Sequence, residues 1–206
     1  MSISEPSTLL SDYLLAAVAI GLGVRLAAAA AGSRARQLWS VAFVVGACAA
    51  LAGGTIHGFS AWLDPLVRAW LWQCALLGSA LAGALLLAGA ALHTLRGNLL
   101  RLALAIVVAK LAVELAVIAG SGLTRDALWA GAATIVLLLA LTLLRARTDP
   151  APLGWLLLGL ALAAAGLAVQ AARLTLHAHF NHNDLCHVFL TAALWPFYRA
   201  ALRLKN

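Results

Sequence analysis

The chain has 206 residues, 64% hydrophobic and 10% charged, where an ordinary soluble domain is about half apolar and about a quarter charged. A water-soluble fold could not hide that much apolar surface. The formal charge of +7 is carried by Lys and Arg placed singly or in pairs between apolar runs, which excludes the basic stripe of a nucleic-acid-binding protein and predicts one all-α integral membrane domain over 1–206.

The first apolar run, about 10–31, ends in alanines like a signal-peptide cleavage site. The segment leading into it carries Glu5 and Asp12 without Lys or Arg, opposite to the positive n-region of a signal peptide, so it reads as the first helix. Six further runs follow at about 37–58, 67–95, 98–120, 126–144, 153–173 and 183–202. Each approaches the roughly 20 residues that cross a bilayer core of about 30 Å. Together they predict a seven-transmembrane-helix bundle, with Pro196 kinking its last helix.

Seven spans place the termini on opposite sides, and the basic residues choose between the two orientations. One side collects Arg34, Arg36, Arg96, Arg101, Arg145, Arg147, Arg199, Arg203 and Lys205, whereas the other has Arg68, Arg125 and Arg173. Short cytoplasmic loops carry the excess of Lys and Arg, so the N-terminus is expected outside and the C-terminus in the cytoplasm. A bacterial inner membrane is the expected location. Trp39 and Trp155 fall at cytoplasmic ends and Trp62, Trp70, Trp72 and Trp129 at external ends, where headgroup anchors are expected. Cys48, Cys74 and Cys186 read as small buried hydrophobes.

On this topology five of the six histidines share the external side: His57 ends helix two, His177, His179 and His182 occupy the last loop, and His187 lies in the first turns of helix seven. Asp64 follows helix two, and Asp184 precedes His187 by one helical turn. Neutral imidazole is the commonest protein metal ligand, and a catalytic zinc takes three protein ligands plus an exchangeable water. The cluster therefore offers His57, His182, His187 and His179 as zinc ligands, with Asp64 or Asp184 orienting the water. Each has a plainer reading too: loop histidines are solvated, Asp64 stands before Pro65 in a turn, and Asp184 suits a helix cap. Lys110 and Glu114, four apart on helix four, neutralise each other or form a proton relay reaching the external site.

The segment Asn183-Asp-Leu-Cys-His187-Val-Phe and His57 late in helix two resemble the metal motifs of the CREST superfamily, seven-helix membrane hydrolases that include the alkaline ceramidases and the progestin and adiponectin receptor group. The resemblance implies a zinc held by His57 and His187, with His182 or His179 completing the set, and hydrolysis of a lipid amide or ester at the external leaflet. Membrane lipids are the expected partners, one of them the substrate. The competing reading is a transporter or ion channel using the same polar cluster with Lys110 and Glu114. A haem protein is a weaker fit, because His93 stands alone at the opposite end, and helix seven lacks the internal lysine of a retinal protein.

Overall fold

The computed structural model describes residues 3–121, 124–177 and 179–205, the side chains of residues 121 and 124–127 excepted; Arg125, counted above among the basic residues of one side, is among these exceptions. The described residues form seven α-helices: α1 (Pro6–Ala28), α2 (Arg34–Phe59), α3 (Pro65–Thr94), α4 (Gly97–Ser121), α5 (Thr124–Ala146), α6 (Leu153–Ala172) and α7 (His182–Ala201). Six of them are long and apolar enough to cross a membrane. The exception is α7, whose first two turns carry His182, Asn183, Asp184 and His187. Pro196 falls inside α7, which continues past it.

Local chemistry sets the helix starts. Pro6 and Pro65 occupy the opening positions of α1 and α3, where the missing N–H would have had no partner and the fixed φ suits a helix. The Ser33 hydroxyl accepts from the Arg36 N–H at the start of α2. At the start of α7, Asn181 and Asp184 form a reciprocal capping box, which satisfies two of the donors a helix N-terminus leaves open.

Consecutive helices α1, α2 and α3 pack side by side; α3 then contacts both α4 and α5, α5 contacts α6, α6 contacts α7, and α7 closes back on α1. The result is a ring of six helices, with α4 outside it against α3 and α5. Hydrogen bonds identify the ends. The Ser4 and Glu5 amides donate to the Gly58 and His57 carbonyls, joining the start of α1 to the end of α2. At the other end, Arg36 donates to the carbonyls of Ala29 (3.1 Å) and Leu204 (3.0 Å), and His93 Nδ1 accepts from the Lys205 amide (3.1 Å). The chain end is thus pinned against the starts of α2 and α6 and the end of α3.

Trp39 lies at the centre of the main apolar cluster, fully buried, with its indole N–H donating to the Leu86 carbonyl (3.0 Å) and Phe197 meeting it edge-on at 5.9 Å. This corrects the expectation of a headgroup anchor: Trp39 is a core residue whose one polar atom is satisfied inside the bundle. Trp62, Trp70 and Trp129 are exposed, and Trp155 stacks under the Arg199 guanidinium at 4.9 Å. Cys48 and Cys74 also depart from expectation, facing outward, while Cys186 is buried.

Gly89 of α3 is what admits Trp39. A Cβ there would fall 2.4 Å from Trp39 Cδ1 and 2.9 Å from the Ala35 carbonyl oxygen, and neither the packed ring nor the backbone can retreat. Gly89→Ala is expected to destabilise the fold by about 1–3 kcal/mol, read as a shift in the midpoint of reversible unfolding in mixed detergent micelles.

Candidate functional site

The start of α1, the end of α2 and the start of α7 meet at one end of the ring. Along α1, Glu5 reaches α2, Ser7 and Ser11 reach α7, and Thr8 and Asp12, one turn apart, fill the seam between them. Helical spacing puts these groups on adjoining strips of one helix. Gly54 of α2 makes the close approach possible: a Cβ there would fall 2.8 Å from Asp12 Cβ.

His187 is the hub. Its Nδ1 lies 3.1 Å from Ser11 Oγ and its Nε2 lies 3.3 Å from Asp12 Oδ1. The Ser11 hydroxyl has a second acceptor in the Thr8 carbonyl, also at 3.1 Å. Donation to His187 instead leaves the imidazole proton on Nε2, facing Asp12 Oδ1, and that tautomer gives both ring nitrogens a partner. Asp184 accepts from the Asn181 amide (2.6 Å) and the Ser7 hydroxyl (3.3 Å) through Oδ2. It also interacts electrostatically with Asp12. His57 directs Nδ1 to Glu5 Oε2 at 3.1 Å.

Three buried atoms of this junction have no hydrogen-bond partner among the described residues: Thr8 Oγ1, Asp12 Oδ2 and Asp184 Oδ1. Thr8 and Asp184 are wholly buried and Asp12 is 3% exposed. A fold built only for stability does not gather that much unspent polar capacity in an apolar helix bundle.

The sequence-predicted residues divide between this junction and its surroundings. His57, His187 and Asp184 belong to it. His182 is the first residue of α7 and half-buried, whereas His179 is exposed in the loop with its amide donating to His177 Nδ1 at 3.2 Å. Asp64 is exposed at the start of α3, accepting from the Leu66 amide at 2.8 Å. The zinc that the family resemblance implies is not matched here. Both ring nitrogens of His187 already face protein partners, and no group of three His, Cys, Asp or Glu that could hold a metal ion occurs among the described residues. Asp64 caps α3, and Asp64→Ala is expected to cost about 1 kcal/mol of stability and to leave any chemistry at the junction unchanged, which unfolding and activity measured on one preparation would check.

Lys110 and Glu114 form an ion pair, but α4 contacts neither α1, α2 nor α7 among the described residues. The relay from Glu114 to the histidine cluster therefore has no direct route. Sequence reasoning passed over Ser11 and Asp12 as site residues. The available signal was a carboxylate inside the first apolar run, since an ionisable residue within a span marks a functional site by default.

These features define a helical membrane bundle with a polar junction of carboxylates, histidines and hydroxyls at one end. The chain belongs to a family of unknown function, DUF6962, whose model matches residues 7–206. No curated protein and no solved structure matches it.

Proposed function

We propose that the chain is a membrane-embedded hydrolase of a lipid amide or ester, with Ser11, His187 and Asp12 at its reacting centre. The observation that carries this reading is the series hydroxyl, imidazole, carboxylate formed by Ser11, His187 and Asp12 at 3.1 and 3.3 Å. Those are the groups and contacts that nucleophilic acyl transfer needs, and such a series is recognised by geometry and role rather than by chain order. In the first step Ser11 Oγ attacks the substrate carbonyl carbon while its proton passes to His187 Nδ1. Asp12 stabilises the resulting imidazolium through Nε2–H. Collapse of the tetrahedral intermediate breaks the bond to the leaving amine or alcohol, which takes the proton from His187, and water then releases the acyl group by the same proton path. Asp184 and His57 border the reacting groups and set the field around them.

Access from the bilayer fits this assignment. Leu10 and Leu14, exposed at 71% and 55%, flank Ser11 on the outer side of α1, so an acyl chain lying along α1 brings its carbonyl to the hydroxyl. The distribution of basic residues supports seven spans, with the N-terminus and this junction outside and the C-terminus in the cytoplasm, as in a bacterial inner membrane.

The test is labelling of purified protein in lipid nanodiscs with an alkyl fluorophosphonate, alongside fatty-acid release from N-acyl amides and acyl esters. Ser11 is expected to carry the label, and Ser11→Ala to lose both label and release. Hydrolysis that survives in Ser11→Ala, together with about one zinc per chain lost in His57→Ala and in His187→Ala, would transfer the reaction to a metal-bound water. An intact fold with neither labelling nor hydrolysis would remove the enzymatic reading.

A further inference from the structure

A second polar site lies between α4 and α5, away from the α1–α2–α7 junction. α4 sits outside the ring and meets α5 only lightly. The gap between them is a cleft of about 290 Å³, lined by Lys110, Val113, Glu114, Trp129 and Ala133 among others, which is near the lower end for small-molecule sites. Lys110 and Glu114 face it as an ion pair, their side chains only 12% and 9% exposed. An ammonium has three donors, and among the described residues this one gives a single bond, to Glu114. Glu114 Oε2 is buried with no hydrogen-bond partner among the described residues. An unspent carboxylate oxygen beside unspent ammonium hydrogens is costly in an apolar span and fits a ligand that both donates and accepts.

We propose that this cleft binds a neutral single-chain lipid whose headgroup carries both a hydrogen-bond donor and an acceptor, as in an acylglycerol or a fatty-acid amide. The donor goes to Glu114 Oε2 and the acceptor takes a hydrogen from Lys110 Nζ, while the chain lies against Val113 and Ala133. Two observations choose a neutral headgroup. The ion pair has no net charge with which to hold an anion, and Lys110 is near the middle of α4 (Gly97–Ser121), a depth to which a phosphate cannot be brought cheaply. Trp129, 71% exposed, stands in the cleft lining as a reporter. The proposal is independent of the hydrolytic reading, since none of its residues belongs to the junction.

The experiment is quenching of tryptophan fluorescence by chain-brominated monoacylglycerol and, in parallel, chain-brominated fatty amide, with the protein in phospholipid nanodiscs. Saturable quenching is expected, most of it missing in Trp129→Phe, and whichever of the two probes saturates at lower concentration identifies the headgroup. Glu114→Gln is expected to weaken binding about tenfold. Ala133→Leu fills the cleft without touching the ion pair and is expected to abolish saturation while leaving unfolding unchanged. Quenching that rises linearly with probe, is equal in Ala133→Leu, or is matched by a brominated phospholipid would overturn the proposal.

Discussion

Asp12→Asn is expected to lower hydrolysis about 10⁴-fold while the bundle stays folded. The amide has the shape of the carboxylate but can present its NH₂ group to His187 Nε2, which favours the tautomer with the proton on Nδ1. The imidazole then cannot accept the Ser11 proton, and no negative charge remains to stabilise the imidazolium. Stability should hold or improve, because the substitution removes a charge buried in an apolar span. His187→Ala should lose as much activity as Ser11→Ala, and the double variant no more than either, since groups that act as a unit are not additive. Steady-state release of fatty acid from a chromogenic ester, with circular dichroism on the same preparations, reads these outcomes. Activity in Asp12→Asn within about tenfold of wild type would assign Asp12 a packing role and dissolve the proposed series.

The helices were legible in the sequence because a bilayer-length apolar run needs no tertiary information to be recognised. Their ends moved where local chemistry overrides hydropathy. α1 begins at Pro6 rather than near residue 10, because proline is favoured in the first turn and the polar Ser7 and Ser11 are held by α7. α7 begins at His182, one residue before the predicted start, where the Asn181 and Asp184 capping box fixes it. Part of the junction was equally legible: His57, His187 and Asp184 stand out as polar residues at helix ends. Asp12 carried a signal of its own, a carboxylate inside the first apolar run, but Ser11 did not, since its importance depends on which helix closes the ring. Contact between α1 and α7 joins elements at opposite ends of the chain, and no periodicity within either helix announces it. Trp39 failed for the converse reason. A tryptophan near a helix start suits a headgroup layer, and only the packing of Gly89 and Phe197 around it reveals a core residue.

The ion pair on α4 yields the other large effect, and its sign depends on how many partners are removed. Lys110→Met leaves the Glu114 carboxylate buried without a counter-charge, and breaking such a pair from one side costs about 3–5 kcal/mol. The cost falls on a helix with little else to hold it, because among the described residues α4 buries few of its side chains and packs only on α3 and α5. Local detachment of α4 is therefore expected before the ring opens, seen as faster hydrogen exchange in α4 than in α1 or α7. Glu114→Met strands the ammonium in the same way. The double variant Lys110→Met with Glu114→Met removes both charges and replaces them with apolar side chains, so it should be as stable as wild type or more so. If the pair serves only stability, that double variant keeps every property of the protein; if it holds a ligand headgroup, the double variant stays folded and loses saturable lipid binding. A single Lys110→Met variant as stable as wild type would mean that Glu114 reaches water or takes up a proton, and the cleft would then be open to solvent rather than to lipid.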